Sequence, residues 1–225
     1  MAEASQIEWT DSTWNPVTGC TKVSRGCDNC YAERLAERFR GLQGHPYEQG
    51  FDLRLWPSRV NLPLLWKRPR LIFVNSMSDL FHKDVSKEFI SSVFDTMEQA
   101  NWHVYQVLTK RSSRMRDFVN CRYNNLQAPS NIWLGVSVEE RSVFSRIEHL
   151  RNTNASIRFL SLEPLLKPLG KLNLRSIDWV IVGGESGPNH RLLKSQWIRS
   201  IRLGEHLKTG HTCTLQNRPM ESGRD

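Results

Sequence analysis

Five short runs of aliphatic, β-branched and aromatic residues constrain this chain more than any other feature of its sequence. They cover residues 71–76, 103–108, 131–137, 157–161 and 179–183. Between them apolar residues recur at helical spacing: Phe89, Ile90, Val93, Phe94 and Met97 after the first run, Met115 and Phe118 after the second, Val143, Phe144, Ile147 and Leu150 after the third. Strands that alternate with helices imply right-handed crossovers and a parallel sheet covered on both faces, so the strands should be apolar throughout. The expected fold is α/β: a partial (β/α) TIM-like barrel of parallel strands, a single domain over residues 1–203. A doubly wound open sheet is the alternative. Residues 12–17 supply a weaker first strand. Both folds put their sites beyond the carboxyl ends of the strands.

Polar residues follow every strand, and in a parallel barrel they converge on one rim. They are Ser76, Ser78 and Asp79; Thr109, Lys110 and Arg111; Ser137 and Glu139; Ser161 and Glu163; Gly183, Gly184, Glu185 and Ser186. Asp79, Lys110 and Glu163 are the candidate catalytic residues. Ser76, Ser137, Glu139, Gly183, Gly184 and Glu185 are the candidate cofactor-binding residues. For Ser137 and Ser161 the capping of a following helix is an equal explanation. The turn at Gly183 lets backbone N–H groups approach an anion, but its glycine spacing is neither the dinucleotide fingerprint nor a P-loop. Lys110, Arg111, Arg114 and Arg116 form the densest basic cluster, suited to phosphate, or else a solvated helix face. His82, beside Asp79, is a candidate for proton transfer, although a surface histidine is the commoner case.

The most specific chemical signal lies near the start, where Cys20, Cys27 and Cys30 are spaced Cys-x6-Cys-x2-Cys. Thiolates select zinc, copper(I) or iron–sulfur clusters, and three of them leave one coordination position open unless a distant fourth ligand closes it. Tyr31, Leu35 and Phe39, shadowed by Ala32 and Ala36, predict a helix that begins at Cys30 and supports the thiolates with its N-terminus. No secretory signal opens the chain and no apolar run is long enough to span a bilayer, so the expected compartment is the cytoplasm, where thiols stay reduced. Five cysteines cannot all pair within one chain, and Cys121 and Cys213 stand alone. A net charge of +8 suits a polyanionic partner, nucleic acid first; a plainly basic surface is the other explanation. Residues 42–70, with four prolines among Tyr47, Phe51, Trp56 and Trp66, predict a long ordered excursion that packs on the barrel or serves as a lid.

Read together, several motifs resemble an uncharacterised three-Cys-motif family found in bacteriophages, prophages and bacterial mobile elements. They are Trp14-Asn15-Pro16-Val17-Thr18-Gly19-Cys20, the three-cysteine run followed by Tyr31 and Ala32, Leu108-Thr109-Lys110-Arg111, the stretch from Trp133 to Glu139, Ser161-Leu162-Glu163-Pro164-Leu165 and the stretch from Val182 to Gly187. That family is distantly similar to radical S-adenosylmethionine enzymes. The resemblance implies a 4Fe-4S cluster on Cys20, Cys27 and Cys30, S-adenosylmethionine as cofactor, and a nucleic acid or nucleotide as substrate. It also raises a partner protein encoded nearby. Those enzymes use Cys-x3-Cys-x2-Cys and carry Gly-Gly-Glu after the second strand. Here Gly183-Gly184-Glu185 follows the last strand, which gives Asp79 or Ser76 the cofactor-gripping role. Residues 204–225 depart from the family as a polar tail, read as a replaced or out-of-frame end that lacks one barrel element. The alternative function is a zinc-stabilised nucleic-acid-binding module without catalysis.

Overall fold

A computed structural model describes residues 5, 7–186 and 189–201, with the backbone of 212–215. In chain order the elements are β1 (Ser12–Trp14), β2 (Val17–Thr18), α1 (Tyr31–Glu37), β3 (Arg54–Leu55), α2 (Pro57–Val60), β4 (Leu71–Val74), α3 (Lys87–Gln99), β5 (Val104–Thr109), α4 (Ser112–Tyr123), β6 (Ile132–Ser137), α5 (Ser145–Arg151), β7 (Ile157–Leu162), β8 (Trp179–Val182), α6 (Ser195–Ser200) and β9 (Thr212–Leu215). Seven of the strands form one parallel sheet in the order β1-β4-β5-β6-β7-β8-β9, while β2 and β3 pair as a small antiparallel ribbon. The sheet order never reverses. A doubly wound sheet needs such a reversal, so the barrel-like arrangement holds and the alternative falls.

Curvature follows from the aromatic residues on the inner face. The Trp9 ring lies 4.7 Å from Phe73 on β4 and 5.8 Å from Trp179 on β8, centroid to centroid. In a flat sheet those two strands would stand about 19 Å apart, four strand spacings of roughly 4.8 Å. Only a sheet rolled around Trp9 brings both to one ring. Side chains alternate accordingly. Ile72, Val74, Val107, Leu134, Val136, Leu160, Leu162, Val180 and Val182 point outward into the main core under the helices, whereas Phe73, Phe159, Trp179 and Ile181 point inward with Trp9.

The strands are therefore not apolar throughout. Inward positions near the carboxyl ends become small and polar: Gly135 pairs with Phe159, and two residues further on Ser137 pairs with Ser161. A Cβ on Gly135 would sit 2.4 Å from the Phe159 ring, so the ring fills the floor only because residue 135 has no side chain. The barrel is thus solid below and open above.

Outside the sheet, the Ser86 hydroxyl caps α3 by accepting the Phe89 N–H, and Ile90, Val93, Phe94 and Met97 are buried beneath that helix as their spacing requires. At the far edge, the backbone of Thr212–Leu215 pairs with β8 and supplies a strand that the sequence does not suggest. The remainder of the polar tail, 202–211 and 216–225, lies outside the described residues. No helix of the described residues is long and apolar enough to cross a membrane.

Two buried histidines make the fold sensitive to acid. His103 Nδ1 accepts the Arg70 N–H at 3.1 Å and its Nε2 meets the Pro63 carbonyl, which fixes a neutral tautomer. His82 Nδ1 likewise accepts the Asp84 N–H at 3.2 Å. Burial, the main cause, lowers both pKa values. Between the lowered folded values and the unfolded value of about 6.5, the unfolded chain binds more protons. The stability these residues contribute is complete above that unfolded value and is lost as pH falls toward the folded ones. The melting temperature is expected to fall between about pH 7.5 and about pH 5, with a shallower slope for His103→Gln, whose amide replaces both hydrogen bonds without titrating. Thermal melts across that window check this; equal slopes would refute it.

Candidate site at the barrel mouth

The cysteine loop is delivered by β2. At the end of β1, Asn15 Oδ1 accepts the Met77 N–H at 3.0 Å, which joins the chain leaving β1 to the chain leaving β4. Gly19 then bridges to Ser78 with φ at 79°, and a Cβ there would lie 2.1 Å from the Asp52 carbonyl oxygen. Only glycine fits both constraints. Cys20 follows immediately, at the rim.

Cys20 meets a network from the ends of β4 and β5. Arg111 Nη1 donates to Cys20 Sγ at 3.4 Å and to Asp79 Oδ2 at 3.0 Å. The buried Asp79 carboxylate also accepts the Phe81 N–H, the Thr109 hydroxyl at 2.7 Å and the Lys110 N–H at 3.1 Å. All its acceptor positions face protein donors, so Asp79 is the hub that aims Arg111 at the thiol. Burial pushes the Cys20 thiol up and the Asp79 charge adds to that, while the Arg111 guanidinium pulls it back toward the thiolate.

The rest of the loop is clamped twice. Ser24 donates to Glu139 Oε1, and Glu139 pairs through its other oxygen with Arg146 at 2.8 Å in a site closed to solvent. Gly26 lies against that carboxyl group, which a Cβ on residue 26 would approach to 3.0 Å. From the other side, Glu185 accepts Asn29 Nδ2 at 2.9 Å and both the backbone N–H and Nε of Arg191. Arg191 in turn reaches Asp28 and the Arg25 carbonyl. Burial alone would raise the Glu185 pKa, but the hydrogen bonds from Arg191 and Asn29 outweigh it and hold the carboxyl below its usual range.

A cavity of about 420 Å³ opens between this loop and the strand ends. Its floor is Ile7, Trp9, Phe73 and Leu108. Cys20, Cys27 and Cys30 border it together with Ser76, Asp79, Lys110, Ser137, Glu163, Gly184 and Glu185, so ten of the predicted site residues meet here. Lys110 Nζ reaches the Ser137 hydroxyl across the mouth at 3.4 Å. Glu139 and Gly183 do not line the cavity. The first lies beneath the loop, and the second continues the sheet, its N–H on the Leu162 carbonyl and its carbonyl oxygen on the Leu165 N–H. The cysteines are free thiols, each partly buried, and among the described residues no three His, Cys, Asp or Glu side chains gather closely enough to hold a single ion.

Three expectations change in detail. Helix α1 buries Ala32 and Ala36 against Met77 and Phe51, while Leu35 stays exposed and Tyr31 borders the cavity with its hydroxyl donating to the Ser76 carbonyl. The basic cluster disperses: Arg111 turns to Asp79, Arg114 donates to the Val85 and His82 carbonyls, and Arg116 pairs with Asp117. His82 is buried outside the cavity, its Nε2 2.8 Å from the Thr21 hydroxyl oxygen. Sequence reasoning missed the partners Asn29, Arg146 and Arg191. No local pattern marks them, since the last two act across a turn and Asn29 looks like an ordinary loop residue.

A parallel partial barrel with three thiols on a clamped loop at the carboxyl ends of its strands is the class of protein that fold and site define. The chain belongs to the DUF5131 family of proteins of unknown function, whose profile matches residues 4–208. No curated protein matches it in sequence. In fold it is similar to a solved spore photoproduct lyase mutant with bound AdoMet and dinucleoside spore photoproduct, with a TM-score of 0.51 and 11% identity over 90% of this chain and 64% of that one. A second mutant of that lyase gives a TM-score of 0.50 at 13% identity, covering 90% and 65%. The chain spans less than two thirds of either.

Proposed function

We propose that this chain is a radical S-adenosylmethionine-type iron–sulfur enzyme acting on a nucleic acid or nucleotide in the cytoplasm. The observation that carries the reading is the set of three free thiols on one clamped loop, bordering one cavity at the mouth of a parallel barrel. Soft donors beside about 420 Å³ of space fit a thiolate-held cluster with room for a cofactor next to it. Cys20, Cys27 and Cys30 would hold a 4Fe-4S cluster. The AdoMet bound in the similar lyase structure supports S-adenosylmethionine as the second group. Together the two groups would supply one-electron reductive cleavage of a carbon–sulfur bond, the electron reaching the cluster from an external low-potential reductant.

The chain's own residues do the rest. Arg111, aimed by Asp79, offsets negative charge at Cys20. Ser76 and Gly184 border the space beside the loop and supply polar contacts for the cofactor, with Ser137 opposite, while Glu185, its oxygens taken by Asn29 and Arg191, holds the loop at its edge. Lys110 takes an anionic group of the substrate, and Glu163 a hydrogen-bond donor. Trp9, Phe73 and Leu108 exclude water from below. Glu139 and Gly183 contribute by holding loop and sheet in place. A phage or mobile-element setting and a partner protein encoded nearby belong to the same proposal.

Anaerobic reconstitution followed by iron, sulfide and zinc analysis tests it. About four irons and four sulfides per chain are expected, the content of one cubane cluster. Stoichiometric zinc without sulfide would overturn the reading in favour of a zinc-stabilised binding module.

A further inference from the structure

Beside the ribbon of β2 and β3 lies positive charge that no acidic side chain of the described residues pairs. Trp56 is fixed against β2: its backbone N–H donates to the Pro16 carbonyl at 2.8 Å, and its indole N–H to the Thr18 hydroxyl at 2.9 Å. Two guanidinium carbons lie over its ring, Arg54 at 3.9 Å and Arg59 at 3.8 Å from the centroid. Among the described residues neither arginine makes an ion pair, and the acid closest to them in sequence, Asp52, is taken by Arg40. From 53 to 78 the sequence contains Arg54, Arg59, Lys67, Arg68 and Arg70 and no Asp or Glu. Burial pulls the Arg59 pKa down; Tyr47 opposes this, and repulsion from Arg54 adds to it.

Two like charges held against one indole repel each other, and an anion beside either of them relieves that repulsion. Guanidinium forks suit phosphate oxygens, and the stack fixes their planes in advance. The location is equally specific. Thr18, which holds the indole, stands two residues before Cys20, and Phe51, three residues before Arg54, lines the cavity. A phosphate bound here would sit beside the ribbon of β2 and β3, which delivers the cysteine loop to the cavity.

We infer that Arg54 and Arg59, ordered by Trp56, form a phosphate clamp that holds the backbone of a single-stranded nucleic acid beside the cavity. The inference rests on the proposed function for the identity of the polyanion. A single strand is specified because the cavity admits something of nucleotide size and a duplex cannot enter it.

The test uses the full chain, free of metal, and a fluorescently labelled single-stranded oligonucleotide titrated at several salt concentrations. For Arg54→Gln with Arg59→Gln, binding at low salt is expected to weaken tenfold or more. The slope of log affinity against log salt should become shallower by about 0.7 for each phosphate that the protein no longer neutralises. Lys67→Gln with Arg68→Gln, next to the amino end of β4, should leave both unchanged. Arg54→Gln alone, whose side chain rests on the Trp56 ring, should give part of the effect and covers the case in which the double variant melts early. Equal weakening in the two double variants, or none in either, would overturn the inference. So would a clamp variant that loses affinity for anionic lipid vesicles but keeps it for the oligonucleotide. Because binding is measured without metal, the two readings fail separately: a protein that takes up no iron yet loses oligonucleotide binding on Arg54 and Arg59 substitution retains the clamp and refutes the cluster.

Discussion

Alanine at Cys20, Cys27 and Cys30 together is expected to abolish iron and sulfide uptake while lowering the melting temperature of the metal-free protein by no more than about 4 °C, the shift that roughly 1 kcal/mol produces in a domain of this size. The separation of the two effects is the point of the experiment. The thiols border a cavity and are only partly buried, so their removal takes away little packing. The loop itself is held by Ser24, Asn29 and Asp28, none of which changes. In the loaded wild type, by contrast, a bound group stabilises the folded state by mass action, so metal-loaded protein should melt higher than metal-free protein and the triple variant should show no such gap. Iron and sulfide assays with paired melts measure both. A variant that still takes up stoichiometric iron would mean that other ligands hold it.

Asp79→Ala should do the reverse and act first on the fold. The carboxylate is 8% exposed and the Arg111 side chain 12%, so removing the acid leaves a nearly buried guanidinium without its partner. The Phe81 N–H, the Lys110 N–H and the Thr109 hydroxyl lose their acceptor in the same step. Breaking a buried pair from one side costs about 3–5 kcal/mol. At about 2–4 °C per kcal/mol, the melting temperature should drop by roughly 10 °C. Arg111 keeps its hydrogen bonds to Thr21 beside Cys20, but the Asp79 charge that helps push the thiol up is gone, so thiol reactivity in the metal-free protein should rise. Arg111→Met with Asp79→Ala removes both charges and should recover part of the stability, because the cost lies in the unpaired charge. A double variant no more stable than Asp79→Ala alone would refute that account.

The strands are legible because β-branched and aromatic residues cluster in runs too short for helices and are separated by helical periodicity. What a single sequence hides is which side of the sheet each residue faces when both sides are apolar. Phe73, Phe159 and Trp179 read as ordinary core, yet they form a separate floor around Trp9, and that floor makes the upper half of the barrel hollow. The cysteine loop is legible from spacing alone. Its fastenings are not, since Ser24 and Glu139 are 115 residues apart and Asn29 and Glu185 are 156 apart. Glu139 and Glu185 stand out as polar residues at strand ends, but their partners decide what they do, and those partners carry no mark in the chain. Arg54 and Arg59 draw less notice than the denser basic run from Lys110 to Arg116. In that run, charges close in sequence point to different neighbours.

The two fastenings of the cysteine loop also bear on how fast it can be filled. Ordering one residue costs about 1–2 kcal/mol of backbone entropy, and a free loop would have to meet that cost for each residue at the moment of capture. Here folding has already met it through Glu139 and Glu185, so the three sulfurs wait as a pre-organised receptor. Acid reverses this from one end. The Glu185 carboxyl has a lowered pKa, so the order it lends is present at neutral pH and fades as falling pH protonates it, turning a receptor that captures in one step into one that must first assemble.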